Sequence, residues 1–516
     1  MPNISKLSLA ALRDQINAGT REVTFKTDDG ALTQMVYIPK FRIPAGIWDN
    51  GQFPPQDLLL GGFFVDKYPC SHKNATSTSR GIGTNPTVTA GSTTDVAVSL
   101  PGKVPWTEIT LDNAKKACEN RKINGVSCHL MTMKEWATLA FLIKLLGHDI
   151  RGNNYFGRDI RDPDSFEYYG VPDVSIGGTP GSSGYPYYGH QFARVLTGTG
   201  PISWSHNGMA NGVFDLVGNV WEFIDFTIDT GIYTAKKTAV IQDADGITAT
   251  DTAIVIANVQ NPEFWPATNG LVLIKAEGTN TDEYVRYSNF VDNGNGTYTL
   301  TGCQRGQEGT TAGPHGNGAQ VIQMTDYCLI PGGYSAVIAD SGLNNTTNPA
   351  TFTYSKLVLG PGKTGPAVGD VLQVENEQMT VTAVDGNQLT VNRGANGSAI
   401  AAHAQGVKFA CISPQMSNND AASTDATWGA WQFGLFLTMR TEPELAALAL
   451  PASVNASAGN EEWKDGFWAR WKGQRVALRG GRWDDGGPAR AAFALDLRPP
   501  VGHWGGGIGF RAALSL

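Results

Sequence analysis

Charge is scarce in this chain. Only 17% of its 516 residues are Asp, Glu, Lys or Arg, and the formal net charge is −8. Without a cationic excess there is no global electrostatic attraction for nucleic acid, and no nucleic-acid partner is expected. Long apolar runs are also missing. No stretch approaches the roughly 18 apolar residues of a spanning helix, so no membrane insertion is expected. The first residues, Met1-Pro2-Asn3-Ile4-Ser5-Lys6, lack the basic segment and apolar run of a secretory leader. Cysteine is sparse and scattered: Cys70, Cys118, Cys128, Cys303, Cys328 and Cys411, with no CxxC pair. A zinc site is not expected. Reduced, mostly buried thiols are, in a protein made in the cytoplasm, though pairing within the set stays open. No nucleophile elbow, phosphate-binding loop or dinucleotide fingerprint stands out.

What is abundant is glycine, 62 residues of it. High glycine with low charge suits a β-rich, loop-rich architecture. The length is too great for one compact core and predicts roughly two to four domains.

Local signals place several elements. A short helix is expected over 7–18, closed by Gly19. Strands over 22–26 and 35–39 flank Asp29-Gly30, a hairpin signal. Gly61 to Tyr68 reads as a buried strand, and 71–97, rich in Ser, Thr, Gly and Asn, as an exposed loop. Thr110 can cap a helix carrying Leu111, Ala114 and Cys118 on one face. A second helix has a capping box, Thr132 with Glu135, and a stop at Gly147. Its stripe of Trp136, Leu139, Ala140, Ile143 and Leu146 is core at helical spacing.

From about residue 236 to 411 lies an insert of about 180 residues with almost no helix periodicity, in which a repeat appears. Arg305-Gly306, Gly309-Thr310, His315 and Gly318 recur as Arg393-Gly394, Gly397-Ser398, His403 and Gly406, offset by 88 residues. Glu283 lies upstream of one copy and Glu377 of the other. Neither His has further metal ligands at suitable spacing, so a loop-ordering role is expected, with His bonded to the turn and Arg to the Glu.

Flanking this insert are two blocks with a shared likeness. The first is Gly212 to Phe223, GVFDLVGNVWEF, with Asp215, Asn219, Trp221 and Glu222. Read physically, Gly218-Asn219 turns, Trp221 anchors a core, and Glu222 pairs with backbone N–H groups or an Arg. The second is the end of the chain: Leu478-Arg479-Gly480-Gly481-Arg482-Trp483, then Phe493-Ala494-Leu495-Asp496-Leu497, then Gly507-Ile508-Gly509-Phe510-Arg511. Together they resemble the formylglycine-generating, sulfatase-modifying branch of the C-type lectin fold. Within that branch they are most similar to the variable proteins of diversity-generating retroelements, whose prototype is a phage tail protein that determines host recognition. Leu216 and Phe223 depart mildly from the family pattern.

The resemblance implies an α+β chain. A C-type-lectin core would be interrupted by two small all-β modules. The expected division is an N-terminal segment 1–31, core 32–235, modules 236–324 and 325–411, and core 412–516 with a variable region about 463–511. Trp428, Trp431, Phe433 and Phe436 would rebuild the aromatic core after the insert, which should be separable from it.

Formylglycine-generating enzymes hold copper with two cysteines after the Arg-Gly-Gly turn. Here no Cys follows Cys411, so that metal chemistry has no ligands. The three-His iron site of the sulfoxide-forming branch has no counterpart either, and His190 and His206 read as satisfied loop histidines. No catalytic residue, metal or cofactor is therefore expected. The alternative that the chain is a sulfatase-modifying-type enzyme is the reading this counts against.

The binding reading assigns a variable face to Phe467, Trp468, Arg470, Trp471, Arg475, Arg482, Asp484, Asp485, Pro488, Arg490, Asp496, Arg498 and His503. Trp and Arg dominate, and these side chains anchor interfaces. Scaffold roles fall to Leu478, Gly480, Gly481, Trp483, Phe493, Leu495, Leu497, Ile508 and Phe510. No Asn occurs after Asn460, and Asn codons are the usual targets of retroelement mutagenesis. The partner implied is a host surface receptor or another protein or glycan ligand. Phage tail proteins are further candidates, and a homotrimer is allowed. The implied location is a virion tail; a bacterial cell surface is the alternative.

Overall fold

The structure, a computed structural model, describes residues 9–162, 169–176, 194–235, 237–260, 262, 265–276, 281–419, 430–463 and 465–515. It is mostly β, with several curled sheets and two six-stranded barrels. The helices are α1 (Leu9–Gly19), α2 (Leu111–Asn120), α3 (Met133–Leu146) and α4 (Pro443–Ala446).

Helix α3 forms where its capping signals lie. Thr132 accepts from the Glu135 backbone N–H while the Glu135 carboxylate reaches back, and Gly147 closes the helix in the left-handed region at φ 68. Only Lys134, Lys144 and Leu146 escape full burial, so the helix is enclosed well beyond the expected stripe, with Glu135 and Thr138 among its buried residues. A helix of that kind belongs inside a protein. The main core gathers about it, including Trp48, Phe53, Phe141, Trp463 and Phe493. Helix α2, capped by Thr110, buries Leu111, Ala114, Ala117 and Cys118 in a second cluster.

The first sheet has five strands. Arg21–Lys26 and Leu32–Ile38 form the hairpin around Asp29-Gly30, and Phe63–Asp66 follows. The chain's last strand, Ala512–Ser515, then inserts between Phe63–Asp66 and His129–Leu130. The segment after residue 71 is mostly irregular, closed at its base where Ser71–His72 pairs with Ala97–Val98.

The second sheet has ten strands. Its centre is Trp221–Asp229, which pairs antiparallel with Gln474–Arg479 and parallel with Ile508–Phe510. Leu495–Leu497 and Gly466–Ala469 continue the sheet to Trp431–Met439. The two blocks flanking the insert are thus neighbours. Arg511 donates to both Glu222 carboxylate oxygens at 2.7 and 3.0 Å, with both residues buried, so Glu222 has the Arg partner its position called for.

The insert is two closed barrels. The first uses Lys237–Ile241, Ala253–Ala257, Thr268–Ile274, Glu283–Asp292, Thr297–Thr301 and Gln320–Gln323. The second uses Tyr334–Ile338, Ala350–Leu359, Val371–Val374, Glu377–Asp385, Gln388–Asn392 and Lys408–Cys411. Counting the strands of each in chain order, both close as 3-6-1-2-5-4. The repeat read from a few loop residues therefore spans a whole folding unit.

Its signature residues form one network, present twice. Arg305 grips Glu283 through Nε and Nη2, both at 2.7 Å; Arg393 grips Glu377 at 2.7 and 2.6 Å. His315 and His403 each set Nε2 at 3.0 Å from the same carboxylate. Backbone N–H groups of Gly306 and Gly313, or of Gly394 and Ala401, complete the cradle. In both copies the His backbone bridges a neighbouring loop, at Ile247 or Leu343.

The connection between the barrels differs from the expected second module, which began at 325. Asp326–Cys328 pairs with Ile232–Thr234 in the main sheet, and Cys328, Leu329 and Ile330 lie in the main core. This run is apolar on the side that meets the core, so it packs there.

Candidate ligand-binding face

The Arg-Gly-Gly turn carries the face. Gly480 and Gly481 have φ of +91 and +81, and a Cβ on Gly481 would stand 2.4 Å from that of Ala489. Only glycine fits such a conformation at such a distance. The Arg479 side chain turns inward. It donates to the carbonyls of Phe493, Leu448 and Ala449 at 2.7 to 3.1 Å, fixing the following loop from below. Burial pushes its pKa down to about 9, with Asp465 opposing. Asp465, also buried, accepts four backbone N–H groups between Arg490 and Ala494 at 2.7 to 3.1 Å. Trp136 Nε1 adds a bond to the Ala492 carbonyl at 2.7 Å. Loops held this firmly by a packed sheet are suited to present side chains to a partner.

Five of the expected face residues are core instead. Phe467, Trp468, Trp471, Arg475 and Asp496 are all buried, Trp468 at 8% exposure and Trp471 at 3%. The strand Gly466–Ala469 is paired on both edges and covered on both faces, so alternation does not bring one set of side chains to solvent. Phe467 packs on Phe436 and Trp471; Trp468 packs on Trp221 and Phe433. Arg475 donates to the carbonyls of Lys472 and Arg498 at 2.8 and 3.2 Å. Trp483, expected as scaffold, is half-buried at the surface. Phe436 is buried, Trp431 and Phe433 are half-buried, and Trp428 lies outside the described residues.

The other eight reach solvent. Asp484 and Arg490 are exposed; Arg470, Arg482, Asp485, Pro488, Arg498 and His503 are half-buried. Two similar triads organise them. Arg482 donates from Nε and Nη2 to the Asp484 carboxylate at 2.5 and 3.0 Å and lies 5.6 Å over the Trp483 ring. Arg498 donates from Nε and Nη2 to Asp496 at 2.9 and 2.7 Å and lies 5.2 Å over Trp431. Such forks fix a guanidinium in direction and place.

Asp485 links the triads. It accepts the Arg482 backbone N–H at 2.7 Å and acts electrostatically on Arg498. Burial pushes its carboxyl up to about 6, against Arg482. His503 is held below its ordinary value by burial, with Asp496 opposing. Arg470 follows Ala469, which pairs with Leu497 beside Arg498. Trp504, 38% exposed, stands one residue beyond His503. Trp431, Trp483 and Trp504 lie beside these residues in chain or in space, and the sequence reading did not assign them to the face. An Arg-Trp neighbour pair could have flagged Trp483, but nothing local joins Trp431 to Arg498.

The thiols lie elsewhere. All six are buried and unpaired. Burial pushes Cys303 and Cys328 up to about 11 and Cys411 up to about 12. His206 is buried, its Nδ1 accepting the Val213 N–H at 2.8 Å, and burial pushes it down to about 3. His190 lies outside the described residues. A separate cleft of about 940 Å³ opens between α3, the strand Trp221–Asp229 and the first barrel, lined by His129, Glu135, Tyr233 and Lys408 among others. It contains none of the thirteen expected face residues. Compared with known proteins, the chain matches no protein-family model and no curated protein.

Proposed function

We propose that this chain is a receptor-binding protein with a C-type-lectin core and a C-terminal face of the kind that retroelements diversify. It would sit at a phage or prophage tail tip and recognise a host surface receptor or glycan. In this reading it works by binding and not by catalysis, and the barrels are spacers or accessory modules.

One observation carries the reading. Between Gly466 and Phe510 the strands are buried, while the loops between them bring Arg482, Asp484, Arg490, Arg498 and His503 to the surface. A fixed framework with changeable loop positions is what a diversified binder requires. The test is a variant with Arg482, Asp484, Arg490 and His503 all replaced by Ala. It should melt within a few degrees of the parent and lose adsorption to host cells. Unchanged adsorption would place the binding site elsewhere.

A further inference from the structure

The composition and construction of the face point to the chemistry of its ligand, an inference that rests on the binding reading above. From Trp463 to Arg511 the chain carries seven Arg and two Lys against four Asp and no Glu, in a protein of net charge −8. Asp465 and Asp496 are buried, as are Arg475, Arg479 and Arg511. Arg482, Arg490 and Arg498 reach the surface with Asp484 and Asp485, while Lys472 donates to Asn376 of the second barrel and Arg470 buries Nε and Nη1. A segment richer in cations than anions, on an otherwise acidic protein, favours an anionic partner.

The two triads add direction to that charge. In each, the Asp occupies Nε and Nη2, and the guanidinium lies over indole: Trp483 for Arg482, Trp431 and Trp468 for Arg498. Nη1 makes no hydrogen bond to any described residue in either triad. Neither Nη1 is a buried atom lacking a partner, and the side chains are 43% and 26% exposed, so both reach solvent. Each Arg therefore offers an N–H pair, already oriented, to an oxygen anion. Trp504, 38% exposed, adds an aromatic ring at the surface on which a sugar could stack.

We propose that this face binds a carboxylate-bearing polysaccharide, with sugar carboxylates received on Nη1 of Arg482 and Arg498 and a sugar ring stacked on Trp504. Nucleic acid fits less well. Its dense phosphates favour a continuous basic track, whereas here carboxylates interrupt the cations and the whole chain is acidic. An acidic peptide adding as a strand has no place to pair. Gln474–Arg479, Leu495–Leu497 and Gly466–Ala469 each have a neighbour on both sides.

The experiment uses the full chain on a biosensor with polygalacturonate and alginate, against dextran, poly-glutamate and single-stranded DNA. Polygalacturonate or alginate should be retained, dextran should not, and the signal should fall at least tenfold between low and half-molar salt. Arg482→Ala, Arg498→Lys and Trp504→Ala should each weaken retention about tenfold or more while the melting temperature holds. Arg498→Lys keeps a cation beside buried Asp496, so the fold is spared while the fork is lost.

Failure to retain either uronate polymer overturns the proposal. So does equal retention of poly-glutamate or DNA, or retention that the three variants do not alter. If host-cell adsorption is still lost in the face variants, the binding reading stands and only the ligand class falls. If adsorption is unchanged as well, both fall.

Discussion

The Trp471 indole N–H donates to Gln432 Oε1 at 2.7 Å, and both residues are buried, although Trp471 was expected on the binding face. Gln432 is itself tied to Ser413 at 2.9 and 3.0 Å. Trp471→Ala therefore removes a packed ring and leaves a polar group without its partner. It should destabilise by about 3–5 kcal/mol. Trp483→Ala removes a half-buried ring over which Arg482 stacks, and should cost about 1 kcal/mol or less while weakening ligand binding. Melting curves of the two variants check the order; the reverse order would restore Trp471 to the surface.

Glu222 and Arg511 join the two blocks that flank the insert, across 289 residues of sequence. Removing one partner leaves the other charge buried. Glu222→Gln or Arg511→Ala should each destabilise by about 3–5 kcal/mol. The double variant Glu222→Gln/Arg511→Met should lose less than the sum of the single changes. Denaturant titration of the four proteins gives the coupling; simple additivity would mean that the pair is not a functional unit of the core.

In the second barrel, burial works against the Glu377 charge, but His403 and Arg393 override it and hold the carboxyl down to about 2. A carboxyl depressed in the fold stabilises it above its unfolded value, near 4.5. That stability is lost as pH falls from there through about 2. Glu377→Gln should remove about 3 kcal/mol or more at neutral pH and flatten the acid limb of the stability profile. Glu283→Gln should do the same to the first barrel. An unchanged acid limb in Glu377→Gln would show that other carboxylates set it.

The barrels should differ in how cleanly they come out. Thr234 pairs with Asp326 in an antiparallel ladder, so replacing 235–325 with a short turn closes a hairpin at the main sheet. That deletion should express as soluble protein with a cooperative melt. Deleting 236–411 also removes Cys328, Leu329, Ile330 and Ala410 from the main core. It should aggregate or melt well below the parent. Soluble, cooperative behaviour of the larger deletion would mean that the core does not depend on the connection.

Much of the architecture was legible because its signals are local. The capping box of α3, the Asp29-Gly30 hairpin and the glycines of the Arg-Gly-Gly turn each act within a few residues. The Arg–Glu–His repeat was legible because two copies kept the same spacing, and Arg does pair with Glu, but each His ring bonds the same Glu carboxylate and not the turn. Of the thirteen residues expected on a binding face, Arg470, Arg482, Asp484, Asp485, Pro488, Arg490, Arg498 and His503 reach solvent, whereas Phe467, Trp468, Trp471, Arg475 and Asp496, on or beside the strands, do not.

The sequence alone determined that the chain is glycine-rich and β-inclined, that its thiols have no metal spacing, that a module repeats, and that residues 463–511 concentrate Arg and Trp. Only the tertiary structure decided which of those Arg and Trp face outward. Period-2 alternation separates core from solvent when one face of a sheet is bare. Here the sheet is covered on both faces, with Phe467 in one cluster and Trp468 in the other. Alternation then distinguishes two cores, and exposure passes to the loops that join the strands.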